Sequence, residues 1–368
     1  MSSHLFTPIR LGGVDMSNRI AVSAMCQYSA TDGCATDWHM IHLGGLAMSG
    51  AGLLVLEATA VEQAGRITHG CLGLYSDANE AALAPVIAAC RQHGQARLGI
   101  QLAHAGRKGS AQRPWEGGRA LGPDEAPWET FAPSPLSHGE GWHTPTEMTR
   151  ADMERVRDAH VAAAHRAERL GFDLVEVHAA HGYLLHEFLS PIANQREDAF
   201  GGSLENRMRF PLEVVKAVRA VWPTHRALGI RITGSDWVEG GITPDEAATF
   251  AVRLKVEGVD FACVSSGAVS ATAIPKVEPG YQVPFAAHVR ARAGLPVRAV
   301  GMITTPEQAE TIIAEGQADM VALARGFLDN PRWGFHAAQT LGVEIPYPAQ
   351  YERAAPKLWP GAQRAQNK

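Results

Sequence analysis

Two histidines and a tyrosine lie close together in the segment EVHAAHGY, residues 176–183. The segment directly follows the apolar run FDLV, which is typical of a buried strand. Side chains alternate between the two faces of a strand, so His178 and His181 would point to opposite sides if the strand continued. We therefore predict that the strand ends near His178. A turn eased by Gly182 would then bring both imidazoles and the Tyr183 phenol together.

Three interpretations of this trio follow from its chemistry. A metal site would use the imidazoles as ligands, although Glu187 is the one obvious further ligand nearby. Alternatively, both histidines are structural and satisfied by hydrogen bonds where the strand ends. In the third interpretation, His178 and His181 donate hydrogen bonds to one substrate oxygen while Tyr183 donates a proton. A phenol, with a reference pKa of about 10, is still protonated near neutral pH.

The elements around this segment have the pattern of a β/α protein. Short apolar runs alternate with amphipathic runs, several of which start behind Ser, Thr or Pro and stop at Gly. Eight such units, with no GxGxxG after the first strand, predict a TIM (β/α)8 barrel that forms a single domain over residues 1–368. The eight predicted strands are residues 19–24, 52–58, 97–103, 172–178, 227–233, 260–266, 297–302 and 319–324.

One long segment interrupts the pattern after the third predicted strand. Residues 103–148 are rich in Gly, Pro, Trp and His, and their length predicts a lid or cap over the active site. Active sites of such barrels lie at the carboxyl ends of the strands, and phosphate usually binds after strands seven and eight, where Gly301 and Arg325 occur. The other residues at predicted strand ends are Cys26, Tyr28, Gln101, His104, His178, His181, Tyr183 and Arg231.

Composition and charge favour a small-molecule partner. A net charge of -5, a pI near 6.3 and the lack of a Lys/Arg run argue against binding to nucleic acid or to an anionic membrane. The first residues lack the features of a secretory signal, and no apolar stretch approaches the roughly 18 residues of a membrane span, so we expect a cytoplasmic protein. Five cysteines without a CxxC pair predict neither a disulfide framework nor a zinc or iron-sulfur site.

Several segments together resemble the Old Yellow Enzyme family, in order and over nearly the whole chain. The MCQY segment and QYER at residues 350–353 resemble its bacterial, thermophilic-like branch, which includes xenobiotic reductases. The resemblance implies an FMN-containing TIM barrel that reduces activated alkenes with NAD(P)H. The segments that carry it are MCQY at 25–28, EATAV from 57, QLAHAGRK from 101, EVHAAHGYLLHEFLSP from 176 and FGGSLENRMRF from 200.

The same resemblance implies contacts for the flavin. The FMN phosphate would rest on the loops of Gly301 and Arg325, and Arg231 would stabilise negative charge at the pyrimidine end of the ring. Cys26 would lie near the flavin N5 and tune its reduction potential; the alternative is a buried thiol that acts as a small apolar side chain. The full implied set is Ser23, Met25, Cys26, Ala58, Gln101, Arg231, Gly301, Met302, Ala324 and Arg325.

For the substrate, the resemblance implies that the two histidines hold the carbonyl or nitro oxygen of an activated alkene and that Tyr183 protonates its α-carbon. Tyr28 would also contact the substrate. Arg353 would reach into a neighbouring subunit's active site as an arginine finger, which requires a homodimer or homotetramer with residues 339–368 at the interface. Two departures from the family pattern are Ala24, where a proline is usual, and Met302, where some xenobiotic reductases have a tryptophan.

Three alternatives remain open at this stage. A dienoyl-CoA or amine-oxidising relative would share the barrel, but such enzymes carry a cysteine cluster and further domains that this sequence lacks. A non-redox barrel, either an aldolase or a metal-dependent hydrolase, would use the HxxH pair in another way. A flavin-binding protein without turnover would keep the cofactor contacts alone.

Overall fold

Eight parallel strands close into a barrel in the computed structural model, which describes residues 3–365. A hairpin of β1 (Ile9–Leu11) and β2 (Val14–Met16) precedes the barrel. A pair of two-residue strands, β6 (Phe131–Ala132) and β7 (Thr146–Glu147), lies outside it. The barrel strands are β3 (Ile20–Val22), β4 (Leu53–Ala60), β5 (Arg97–Ala103), β8 (Leu174–Ala179), β9 (Ala227–Thr233), β10 (Phe261–Ser265), β11 (Val297–Ala299) and β12 (Met320–Leu323).

Each barrel strand pairs in parallel with the next barrel strand along the chain, and β12 closes the barrel by pairing with β3. The predicted TIM barrel is therefore confirmed. Strands β5 and β9 have the predicted bounds, whereas β11 is shorter than the predicted run of residues 297–302. It ends early because Gly301 and Met302 adopt φ angles of 104° and 53°, which are incompatible with a continuing strand.

Helices between the strands complete the β/α units. Several begin where the sequence provides a Ser or Thr cap: Thr149, Ser203, Thr243 and Thr305 each accept a hydrogen bond from the backbone N–H three residues later. The helices are α1 (Asp37–Ala47), α2 (Asp77–His93), α3 (Arg150–Arg169), α4 (Leu184–Leu189), α5 (Leu204–Val221), α6 (Pro244–Val256), α7 (Val283–Ala293), α8 (Pro306–Ala314), α9 (Arg325–Asp329), α10 (Trp333–Thr340) and α11 (Pro360–Ala365).

The two ends of the barrel differ in polarity. At the amino end, the β1–β2 hairpin buries Leu11 and Met16 against the first residues of several strands, among them Leu53 and Leu174. This apolar plug leaves the carboxyl end as the place where buried polar side chains can gather. Over residues 3–365, the structure has no helix that is long and apolar enough to cross a membrane.

The segment of residues 103–148 connects β5 to α3 and is held to the barrel by specific contacts. The Trp128 indole donates a hydrogen bond to the Ala64 carbonyl at 3.1 Å, and the Arg66 guanidinium lies 5.3 Å from its ring centre. Arg107 donates to the Val269 carbonyl, in the loop after β10, at 2.7 Å. The segment is therefore bound to the loops that follow β4 and β10.

Candidate active site

The turn between β8 and α4 brings the two histidines and the tyrosine together. His178 is near the end of β8, and the backbone then turns through His181 and Gly182, whose φ angles are 60° and 70°. The His178 ring centre lies 5.2 Å from that of His181 and 5.1 Å from that of Tyr183. A side chain at residue 182 would have its Cβ 2.4 Å from the Ala268 carbonyl oxygen, so glycine is required there for both backbone and space.

Burial keeps both imidazoles neutral. It lowers the pKa of His178 and of His181 well below the usual value, and the nearby Arg231 charge lowers both further. The His178 Nδ1 accepts a hydrogen bond from the Ala180 backbone N–H at 3.3 Å, so its single proton is on Nε2. The His181 Nε2 lies 2.7 Å from the Ser265 hydroxyl oxygen, which is 3.0 Å from the Gln282 side-chain carbonyl.

Burial also keeps Tyr183 protonated, because it raises the pKa of the phenol well above its usual value. The Lys108 ammonium nitrogen lies 4.8 Å from the centre of the Tyr183 ring. Ala58 and Cys71 line a small recess together with Tyr183. The Tyr183 side chain thus lies between the Lys108 ammonium group and the carboxyl end of β4.

The loop after β3 carries Cys26 and Tyr28, and Glu57 fixes its backbone. Burial raises the pKa of both the Cys26 thiol and the Tyr28 phenol. The register between β4 and β5 shifts between Leu56 and Ala58, and this bulge directs the buried Glu57 carboxylate toward the loop, where it accepts a hydrogen bond from the Gln27 backbone N–H at 3.1 Å. The bulge gave no signal in the sequence, which is why the role of Glu57 was missed.

Arg231 and Gln101 lie inside the barrel with unused hydrogen-bonding capacity. Arg231 is buried and donates to the Ser23 hydroxyl at 3.2 Å, while its Nε has no hydrogen-bond partner among the described residues. The Gln101 amide nitrogen donates to Glu176 at 2.7 Å, which leaves the amide oxygen as an acceptor. Because buried donors need partners, an uncompensated guanidinium fits a bound group that accepts hydrogen bonds, as the flavin ring does.

A cavity of about 200 Å³ adjoins Arg231 and contains most of the predicted phosphate-side residues. Gly301 has a φ of 104°, and a Cβ there would collide with the Gln282 side chain at 2.4 Å, so only glycine lets the backbone approach the cavity. Met302 is partly exposed at its edge. The predicted cofactor contacts that line it are Ser23, Arg231, Gly301, Met302, Ala324 and Arg325.

Two candidate residues lie apart from this cluster. Glu187 accepts a hydrogen bond from the Arg107 backbone N–H at 2.9 Å, and burial raises its pKa to about 8. Within residues 3–365, no group of three or more His, Cys, Asp or Glu side chains is placed to hold a metal ion. Arg353 is exposed on a 3-10 helix, Ala349–Ala354, and its side chain makes no hydrogen bond or ion pair with the described side chains and backbone.

A buried ion pair beneath Gln101 was also missed in the sequence. Arg298 and Glu176 are both fully buried in the barrel and form a salt bridge, and Glu176 also accepts the hydrogen bond from Gln101. The signal was available, since a charged residue within each of two apolar strands is unusual unless the charges pair. Their partnership could not be inferred, because 122 residues separate them in the chain.

Comparison with known proteins agrees with this geometry. The model of the NADH:flavin oxidoreductase / NADH oxidase family matches residues 4–344. An NADPH dehydrogenase of Geobacillus thermodenitrificans is 45% identical over 355 residues, which cover 96% of this chain and 99% of that protein.

Solved structures give the same result. Morphinone reductase is 28% identical with a TM-score of 0.77, covering 96% of this chain and 93% of that one. An old yellow enzyme homologue from Zymomonas mobilis is 26% identical with a TM-score of 0.75, covering 93% and 94%. These similarities to flavin oxidoreductases argue against a non-redox aldolase or hydrolase that uses the HxxH pair. The chain belongs to the NADH:flavin oxidoreductase / NADH oxidase family, the Old Yellow Enzyme family, and is an NAD(P)H-dependent flavin oxidoreductase with FMN as its cofactor.

Proposed function

We propose that this flavin oxidoreductase is an ene-reductase, which reduces alkenes activated by a carbonyl or nitro group. FMN reduced by NAD(P)H would supply hydride to the β-carbon of such a substrate. The observation that carries the proposal is the packing of the neutral His178 imidazole against both the neutral His181 imidazole and the protonated Tyr183 phenol, within the reach of the Arg231 charge. The substrate is a small molecule of this chemical class.

The histidines would bind and polarise the activating oxygen of the substrate. Neutral His178 has its proton on Nε2 and can donate it. His181 can donate from Nδ1 when the Ser265 hydroxyl donates to its Nε2, and Ser266 then remains as a donor to Gln282 at 2.8 Å. Two donors at one oxygen withdraw electron density from the conjugated alkene, which makes its β-carbon a better hydride acceptor.

Tyr183 would supply the proton for the α-carbon. A buried phenol whose pKa is raised stays protonated over the whole neutral range, so the donor is always present. Its ring is in contact with His178, so an oxygen held by the histidines would bring the adjacent carbons close to the phenol. Cys26 and Tyr28 would contribute from the loop after β3, the thiol near the flavin and the phenol on the substrate side.

Tyr183→Phe tests the proposal, with anaerobic stopped-flow absorbance used to separate the two half-reactions. Loss of a general acid should slow oxidation of the reduced enzyme by 2-cyclohexenone about 100-fold or more, while reduction of the flavin by NAD(P)H keeps its rate. Tyr75→Phe is a matched control, since that hydroxyl donates to the Asp32 carbonyl at 3.1 Å outside the site. Equal losses in both half-reactions of the Tyr183 variant would refute the proton-donor role.

We further propose that the protein acts as a homodimer or homotetramer in which Arg353 completes the neighbouring subunit's active site. Arg353 is exposed, and the surface beside it includes the partly exposed rings of Tyr351 and Trp359. A cavity of about 840 Å³ opens next to these residues, between α10 and the terminal segment. Apolar surface of this kind favours contact with another chain.

A further inference from the structure

We propose that Lys108 is a positioning residue for proton transfer, whose ammonium group stabilises the Tyr183 phenolate that forms when the phenol protonates the substrate. The inference deepens the proposed ene-reductase function and rests on it. In the step, the O–H bond of Tyr183 breaks, the proton moves to the α-carbon, and the electron pair stays on the phenolate oxygen. Solvent returns the proton afterwards.

A buried phenol needs such help in order to act as an acid. Burial raises the pKa of Tyr183 because the phenolate loses its hydration, and the nearby Arg231 charge offsets only part of this effect. Proton donation creates that disfavoured anion. A cation close to the ring offsets the penalty, since its attraction to the π system increases as the ring becomes negative.

Lys108 is held over the Tyr183 ring by backbone contacts on two sides. Its Nζ lies 4.8 Å from the ring centre and donates to the carbonyl oxygens of His181 at 2.8 Å and Ala268 at 3.0 Å. These acceptors carry no formal charge, so the positive charge remains available to the ring. The same bonds join the β8–α4 turn to the loop after β10, which fixes the ammonium relative to the phenol.

The charged and titratable groups that face Lys108 come from several elements. Arg107 precedes it, Glu187 faces it from α4, and His138 faces it from the inserted segment. His178, His181 and Tyr183 lie on the side of the active site. Burial keeps all three histidines neutral near pH 8, since it lowers the pKa of His138 to about 4 and those of the other two well below the usual value.

The charge on Lys108 should therefore be visible in the pH dependence of the alkene step. Burial lowers the Lys108 pKa to about 8, so the side chain is charged below that pH and neutral above it. The alkene half-reaction should slow as the pH rises through about 8. Glu187, whose pKa burial raises to about 8, titrates in the same range, so Glu187→Gln is needed to separate the two groups.

Lys108→Met and Lys108→Arg test the charge directly. Removal of a cation from an aromatic ring should slow the alkene half-reaction about 2- to 30-fold relative to flavin reduction, and arginine should restore most of the loss. Lys255→Met is a matched control, because its ammonium also bridges two backbone carbonyls, those of Ala293 and Gly294, far from the site. Thermal melting of each variant verifies that it is folded.

A double-mutant cycle shows whether Lys108 acts through Tyr183. If it does, Lys108→Met should cost nothing further in the Tyr183→Phe background, and the slowing above pH 8 should be absent from Lys108→Met but retained in Glu187→Gln. Additive losses, with a matching loss of 4-hydroxybenzaldehyde binding, would show that Lys108 only holds the turn and would overturn the inference. A Tyr183→Phe variant that reduces alkenes at the native rate would instead defeat the proposed function itself.

Discussion

Burial sets the protonation state of the histidines and the tyrosine in this site. The hydrogen-bond partners of each histidine then determine which ring nitrogen can donate a proton. The neutral His181 imidazole has one proton for two nitrogens, so the hydrogen bond at Nε2 decides whether Nδ1 can donate to a substrate. Ser265 makes that bond, and its hydroxyl can either donate to His181 or donate to Gln282. Ser265 thus determines which nitrogen of His181 carries the proton.

Ser265→Ala should weaken the binding of phenolic ligands, because His181 would lose the hydroxyl that can donate to its Nε2 and thereby place the imidazole proton on Nδ1. The expected loss is about 3- to 10-fold in the Kd of 4-hydroxybenzaldehyde, measured by titration of the flavin absorbance. Ser270→Ala serves as the control, since the Ser270 hydroxyl oxygen lies 2.8 Å from that of Thr272, in the loop after β10. Similar affinities for the native protein and the Ser265 variant would show that the tautomer is set by another group.

The sequence predicted the trio of His178, His181 and Tyr183 but could not predict Ser265. The trio lies within six residues, and a strand that ends in a glycine turn is a local signal. Ser265 reaches His181 only because β8 and β10 are both neighbours of β9 in the closed barrel. No local sequence pattern around a serine at a strand end predicts such a long-range contact.

Among the elements, the turn between β8 and α4 has the tightest geometric requirement. Gly182 has both a positive φ and no room for a Cβ against the Ala268 carbonyl, which belongs to the loop after β10. The same loop is bound to the turn through Lys108. Displacement of the turn would therefore move the histidines and the loop together.

Gly182→Ala should destabilise the protein by about 2–5 kcal/mol, the sum of backbone strain and steric crowding. The substitution should also lower the affinity for phenolic ligands, because the two histidines move with the turn. Gly202→Ala separates the two causes: its φ is 75°, yet nothing lies within 4 Å of a Cβ there, so we expect a loss of about 1–2 kcal/mol from strain alone. Urea unfolding measures both; equal losses would rule out the collision with Ala268.

The strands were predictable because both of their faces are buried, which makes each a short apolar run. Their ends were less predictable, as in β11, where Gly301 and Met302 stop the strand through positive φ angles. The bulge at Glu57 arises from pairing between β4 and β5 rather than from local preference. Element identity is thus encoded locally here, while strand ends and bulges depend on the assembled barrel.

In the molecule as a whole, the apolar plug fills the amino end of the barrel and the candidate active site lies at the carboxyl end. The C-terminal segment lies outside both, and its Arg353 takes no part in the candidate active site of its own chain. The Arg353 side chain is exposed and has no hydrogen bond or ion pair with residues 3–362. A guanidinium is well suited to bind a substrate oxygen or anion from outside the barrel. That use requires a second subunit, since this chain does not place Arg353 in its own site.

Arg353→Ala should slow alkene reduction roughly 10-fold or more if the Arg353 charge completes a neighbouring site. The control is Arg253→Ala, which removes an exposed arginine on α6 and should have no effect.

Complementation between two variants tests whether the active site is shared between subunits. Denatured Arg353→Ala and Tyr183→Phe chains would be mixed and refolded with FMN, and in a dimer about a quarter of the sites would then combine an intact Tyr183 with a partner's Arg353. Activity above the sum of the separate variants would support the shared site. A monomer in sedimentation experiments, with full activity in the Arg353 variant, would contradict it.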